Sequence, residues 1–339
     1  MNKLFTCVAT LLAVVLTTPA ALAEKTHDLT IQTIFQAGSV NQESIERFAD
    51  NANRMSGGRL NIDIRPIGSV VGYTETVDAA SVGILDGHIS FPGYFSGIEP
   101  GFAAIADLPG GYDNPYQAQM MMEYGGGLDL LRQMYAKLSM YTIGTTWWGV
   151  ESMPVNSEVK GVDGFKGLKI RAPQGMASII FTNLGASAVN LPGSEVYGAF
   201  EKGVIDATDW GTLAMNEDAG LHDVATGFIY PGIHSMPMAD ISIAMERWNA
   251  LSPELQKILQ VATRDLARDM IQSNSLRDTQ ALKALADKGT EQYEWSDQER
   301  QKFRRAAAKV WKEYADKSEF AGEAIGLQLD FLRDHGFLK

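Results

Sequence analysis

Apolar and polar positions alternate over Leu29-Thr30-Ile31-Gln32-Thr33-Ile34, the signature of a β-strand. Ile45, Phe48, Ala49, Ala52 and Met55 then recur at helical spacing until Gly57-Gly58 stops them. Leu60, Ile62 and Ile64 return to alternation and end at Arg65-Pro66. Strand, helix, strand is the building unit of a parallel sheet, so the chain opens as an α/β protein.

The pattern then echoes itself. Glu75, Ala79, Gly83 and Asp86 correspond to Glu195, Ala199, Gly203 and Asp206 at a constant offset of 120 residues. Each set follows a strand with an arginine-proline or arginine-x-proline ending. Each leads into a short strand, His88 to Phe91 or Thr208 to Trp210. Two such units predict two similarly built lobes, since a solenoid needs shorter and more numerous repeats.

Ser252 caps a helix with Pro253 at its first position, and nothing interrupts it before Gly289. Leu255, Ile258, Leu259, Ala262, Leu266 and Met270 mark its apolar stripe. At ~1.5 Å per residue such a helix reaches roughly 50 Å, long enough to brace both lobes. Ser296 with Glu299 forms a capping box for a further helix carrying Phe303, Val310, Trp311 and Tyr314. Gly125-Gly126-Gly127 reads as a break between helices.

Composition narrows the setting. Met1 to Ala23 has the form of an export signal: Lys3, an apolar run from Leu4 to Leu16, and Ala21-Leu22-Ala23 before a cleavage point at Glu24. That run is too short to cross a bilayer and no later one reaches the length required, so the protein is expected to be periplasmic and not itself membrane-spanning. Cys7, the only cysteine, falls inside the signal, which leaves the mature chain without disulfide or thiol chemistry. Net charge is −12, and −13 once Lys3 is removed, an acidic balance that excludes nucleic acid as a partner.

Catalytic signatures are absent: no phosphate loop, no G-x-S-x-G elbow and no H-E-x-x-H. The histidines at 27, 88, 222, 234 and 335 have no ligand spacing and are expected on the surface or packed inside. Arg171 is the distinctive residue. It closes the short strand Lys169-Ile170-Arg171 just before Ala172-Pro173, which aims a permanently charged guanidinium off the strand end. Pattern alone leaves a structural salt bridge and a carboxylate-binding role equally open. Phe35, Phe91, Tyr94, Trp147, Trp148 and Trp210 cluster around the same regions. Tyr94, Trp147 and Trp210 stand at predicted strand ends, where open α/β sheets bind ligands.

These segments resemble the DctP-type solute receptors of TRAP (tripartite ATP-independent periplasmic) transporters over most of the mature chain. Within them the chain is most similar to the subgroup that binds 2-oxo and 2-hydroxy monocarboxylates with a metal ion. Tyr124-Gly125-Gly126-Gly127-Leu128-Asp129-Leu130, Gly203 to Trp210, Tyr230-Pro231-Gly232-Ile233-His234 and Phe35-Gln36 carry that similarity. The resemblance implies a two-lobed periplasmic binding protein fold, no enzymatic activity, a small carboxylate ligand such as pyruvate or lactate, and TRAP membrane permease subunits as partners. It implies that Arg171 pairs with the ligand's carboxylate, with Phe35, Tyr94, Trp147 and Trp210 around it. It also implies that Asp209 and the Trp210 carbonyl bind the ion. Glu151 departs from the subgroup's glutamine and aligns only across one gap. If it faces the site, two carboxylates favour Ca2+; if it does not, Na+ or no ion is expected. A dicarboxylate or sugar-acid receptor, a periplasmic enzyme with Asp209 or Glu151 as base, and a sensor subunit are the competing readings. The expected organisation is a signal at 1–23, a first lobe at 24–144, a second at 145–234 and a return at 235–252. A bracing helix at 253–288 and a helical segment at 289–339 follow.

Overall fold

The computed structural model describes residues 25–191 and 193–338, so the expected export signal lies outside them. Among the described residues, eleven strands run β1 (His27–Thr33), β2 (Leu60–Arg65), β3 (Gly87–Ser90), β4 (Met140–Trp147), β5 (Met153–Val155), β6 (Lys169–Arg171), β7 (Ser187–Val189), β8 (Ala207–Thr208), β9 (Gly227–Ile229), β10 (Met238–Ala244) and β11 (Glu291–Tyr293). They form two sheets, ordered β2-β1-β3-β10-β4 and β11-β9-β5-β8-β6-β7. Each has a parallel portion, β2-β1-β3 and β7-β6-β8, as βαβ crossovers require. Antiparallel pairs join β10 to β3 and β4, and β5 to β8 and β9. This is a mixed α/β fold of two lobes, each built on one sheet.

Alternation places Leu29 and Ile31 of β1 in the first core, against Ile45, Phe48 and Ala52 of the helix Val40–Met55. At the end of β1 the alternation stops because both faces are covered. Buried Gln32 there accepts from the Val70 and Val71 N–H groups.

The internal echo is conformational as well as sequential. The helices Thr76–Ser81 and Val196–Glu201 both end in a glycine at positive φ, 75° at Gly83 and 67° at Gly203. In both the next N–H returns to the same alanine carbonyl, Ile84 to Ala79 and Val204 to Ala199. Asp86 then accepts from the Thr30 N–H of β1 at 2.7 Å, and Asp206 from the Lys169 N–H of β6 at 2.9 Å. The repeated aspartates therefore pin each turn to the neighbouring parallel strand.

The helix Pro253–Lys288 braces the lobes. Ser252 caps it by accepting from Leu255 N–H, and Gly289 ends it at φ 76°. Leu255, Leu259, Ala262, Leu266 and Met270 pack on the first sheet's core, while Ala281 and Leu285 pack with Leu213 and Phe228 beside the second sheet. Each buried leucine stabilises the contact by about 1.5–3 kcal/mol, so the brace is anchored at both ends.

The chain crosses between sheets twice before this helix, through residues 148–152 and 230–237. The two crossings lie against each other. Glu151 N–H donates to the Ser235 carbonyl at 3.0 Å, and a Cβ on Gly232 would stand 1.8 Å from the Glu151 carbonyl oxygen. Only glycine permits that approach.

The C-terminal segment differs from expectation in two respects. It contributes β11 at the edge of the second sheet, where only helix was predicted. Ser296 does accept from Glu299 N–H, but the Glu299 carboxylate turns outward to the Val162 N–H and Lys302, so the reciprocal half of the capping box is not made. The helix Asp297–Ala315 packs on Met176–Asn183, and Glu319–Asp334 packs on Gly101–Ala106 and Gly127–Ala136. Gly126, at φ 90°, breaks the chain between Pro115–Tyr124 and Gly127–Ala136 as its sequence predicts.

Candidate functional site

β6 lies between β7 and β8, and Arg171 is its last residue. Arg171 is only 7% exposed. Nε donates to the Leu191 carbonyl at 3.3 Å, Nη1 donates to the Asp209 carbonyl, and the group lies 5.5 Å from the Trp210 ring centroid. Among the described residues it forms no ion pair. A buried guanidinium without a direct ion pair is costly, and an anionic ligand lowers that cost.

Asp209 follows β8, and its N–H donates to the Arg171 carbonyl at 2.9 Å, which fixes these two residues relative to each other. Its carboxylate turns toward the crossing segments, where Glu151 and His234 meet it. His234 Nε2 is 3.5 Å from Asp209 Oδ1 and 4.0 Å from Glu151 Oε2. Trp148 Nε1 donates to Glu151 Oε1 at 3.1 Å and so orients that side chain. All three groups are buried, and one ligand atom from each falls within 4.8 Å of the others. Asp209 Oδ2 and both ring nitrogens of His234 are buried without a hydrogen-bond partner. Asp209 Oδ2 and His234 Nε2, buried and unpartnered beside Glu151, fit a bound cation.

Electrostatics agree with the geometry. Burial pushes the Glu151 carboxyl well above its usual range, and the adjacent Asp209 adds to the rise. Burial opposes the charge on Asp209 too, but His234, Glu151 and Arg171 together hold its carboxyl below the usual range. A cation between the two is the condition under which both ionise. Tyr94, from the first lobe, lies in the field of Arg171, Glu151 and Asp209. Burial pushes its hydroxyl up to about 12, so it stays protonated as a donor. Beside the cluster, Asp107 accepts from Ser235 Oγ at 2.7 Å and from Met236 N–H at 3.2 Å. Burial pushes Asp107 up to about 7.

Of the residues singled out from sequence, Arg171, Asp209 and Glu151 are brought together, Trp210 lies along Arg171, and Tyr94 lies within their field. Phe35 stands behind, its ring edge-on to Trp148 at 5.6 Å. Trp147 is not brought to the cluster: it is buried among Met121, Met122, Met236 and Met238. Successive strand residues face opposite ways, so Trp148, not Trp147, reaches Glu151. His234 is packed inside, as the histidines are expected to be, and its neighbours Asp209 and Glu151 are close in space though remote in sequence. His88 fits that expectation. It is fully buried between Thr76 Oγ1 at 2.9 Å and Asp240 Oδ2 at 3.0 Å, sealed from any ligand.

The profile of the DctP family, bacterial extracellular solute-binding protein family 7, matches residues 31–318. The chain belongs to this family. Among its relatives is a monocarboxylate 2-oxoacid-binding periplasmic protein from Nostoc sp., 29% identical over 80% of this chain and 75% of that protein. An apo, open TRAP periplasmic solute binding protein from Rhodobacter sphaeroides is 36% identical, covering 91% of this chain and 99% of that one at a TM-score of 0.79. A TRAP solute binding protein from Colwellia psychrerythraea, solved with bound calcium and pyruvate, shares the fold at a TM-score of 0.80. It is 22% identical over 91% of this chain and 95% of its own. Among the described residues of this DctP-family protein, no helix is long and apolar enough to cross a membrane.

Proposed function

We propose that this chain is the extracytoplasmic receptor of a TRAP transporter for a small 2-oxo or 2-hydroxy monocarboxylate, taken up together with a cation and passed to the membrane permease subunits. The observation that carries this reading is the buried Arg171 guanidinium, without an ion pair, standing beside Asp209 in a group with Glu151 and His234. Arg171 supplies a fixed positive charge and N–H donors for the ligand's carboxylate. Glu151 and Asp209 hold the cation, which supplies counter-charge to the ligand's carboxylate and its neighbouring oxygen. Protonated Tyr94 donates from the facing lobe, and the Trp210 ring excludes water from the pair. No nucleophile–base pair stands in the group, which favours a receptor over an enzyme. Because Glu151 faces Asp209, two carboxylates and an anionic ligand call for a divalent ion more than for sodium.

A thermal-shift screen tests the assignment, since a ligand that binds only the native state raises the melting temperature. Pyruvate, lactate and longer 2-oxo monocarboxylates should raise it, and chelator should reduce that rise. Stabilisation by a sugar acid or a dicarboxylate alone would reassign the ligand class.

A further inference from the structure

The three donors that meet at the crossing segments are not all oxygens. His234 is 0% exposed, and neither of its nitrogens has a hydrogen-bond partner. An imidazole offers two polar nitrogens, and leaving both unmatched inside a protein is unfavourable. Its Nε2 lies 3.5 Å from Asp209 Oδ1 and 4.0 Å from Glu151 Oε2, each less than twice the ~2.1 Å from a small divalent ion to a nitrogen or carboxylate donor. One ion therefore reaches the nitrogen and either carboxylate at once. The second oxygen of Glu151 is already held by the Trp148 indole N–H, the kind of outer contact that orients a ligating carboxylate. Position 232, two residues before the histidine, must be glycine for its segment to pass the Glu151 carbonyl, which locks the register between His234 and Glu151.

Donor chemistry then selects the ion. Sodium and calcium take oxygen ligands, calcium six to eight of them, whereas imidazole suits the first-row divalent ions. We infer that His234 is a nitrogen ligand in this site, and that the cation bridging receptor and carboxylate is a first-row divalent ion of the Mn2+ to Zn2+ group rather than Na+ or Ca2+. The inference rests on the reading that a cation is bound with the ligand, and narrows it to one class of ion.

The test uses the mature chain stripped with chelator. Calorimetric competition among Na+, Ca2+, Mn2+ and Zn2+, with pyruvate present, measures the order of preference. First-row ions also outbind calcium at many all-oxygen sites, so the deciding quantity is the change in the Mn2+ to Ca2+ preference in His234→Gln. That preference should fall about tenfold or more, since even losing an outer-shell partner of a ligand costs that much in affinity. X-ray absorption on the Co2+-loaded wild-type protein gives an answer that does not depend on the variant folding. One imidazole nitrogen in the shell is the expected result. An all-oxygen shell, or an ion preference unchanged in His234→Gln, overturns the inference while cation-dependent pyruvate binding leaves the receptor reading intact. Pyruvate affinity indifferent to every cation would remove both the ion from that reading and this inference with it.

Discussion

Arg171 owes its position to three short-range facts: the end of β6, the Leu191 and Asp209 carbonyls that accept from it, and the Trp210 ring. An ammonium in its place reaches at most part of that network. Arg171→Lys should weaken ligand binding by ~2 kcal/mol or more, roughly thirtyfold, with the fold intact by circular dichroism. Undiminished affinity by calorimetry would remove Arg171 from the site. Gly232 is a sharper steric case. A Cβ there meets the Glu151 carbonyl at 1.8 Å, so Gly232→Ala must push the two crossings apart. A lowered melting temperature, equivalent to about 1–3 kcal/mol, and weakened ligand binding are expected together. At this scale the sequence shows Arg171, because a strand-end arginine before proline is a local pattern. It shows neither His234 nor Trp148. The first has partners more than twenty residues away, and the face of the second depends on which sheet neighbours cover Trp147.

Helix and strand signals along the chain are largely local, and the elements follow them. The stripe from Leu255 to Met270, the Ser252 cap and Gly289 define one helix from Pro253 to Lys288. What this helix does at its far end is less visible in the sequence. Asp278 is 8% exposed and accepts from Ala214 N–H at 2.8 Å, joining the brace to the helix Leu213–Asp218. Burial pushes the Asp278 carboxyl up to about 6. Its folded pKa therefore lies above that of an unfolded aspartate, ~3.9, so between these values the native state binds the extra proton and this residue's contribution to stability falls as pH rises. Asp278→Asn abolishes that titration. Thermal melts from pH 4 to pH 7 should show the variant gaining on the wild type as pH rises from about 4 to about 6, then levelling off. A difference independent of pH would show that Asp278 does not titrate there. β11 was not foreseen for a related reason: Glu291-Gln292-Tyr293 has too few residues for alternation to register, and only its parallel neighbour β9 makes it a strand.

On the scale of the whole molecule, the duplicated turn at Gly83 and Gly203 announced two lobes, and the sheets realise them. Arg171 and Asp209 come from the second lobe and Glu151 and His234 from the crossings, with Tyr94 of the first lobe in their field. Ligand binding at such a place should favour a closed arrangement. Small-angle scattering should record a smaller radius of gyration with saturating ligand and cation. An unchanged radius would mean that the free chain is already closed or that binding requires no closure. That these groups converge could not be read from the sequence, because it depends on how two sheets and two crossings are placed in space.

On the proposed function, Arg171 and the Glu151–Asp209–His234 group hold one carboxylate together with a cation. Calorimetric titration of pyruvate into metal-stripped protein, repeated after reloading with divalent ion and in Asp209→Asn, tests it most directly. Removing the cation leaves buried carboxylates facing an anionic ligand, so affinity should fall by at least ~2 kcal/mol, about thirtyfold. Reloading should restore it in the wild type and not in Asp209→Asn. Full affinity in cation-free buffer, equal in wild type and variant, would rule out a cation-bridged carboxylate.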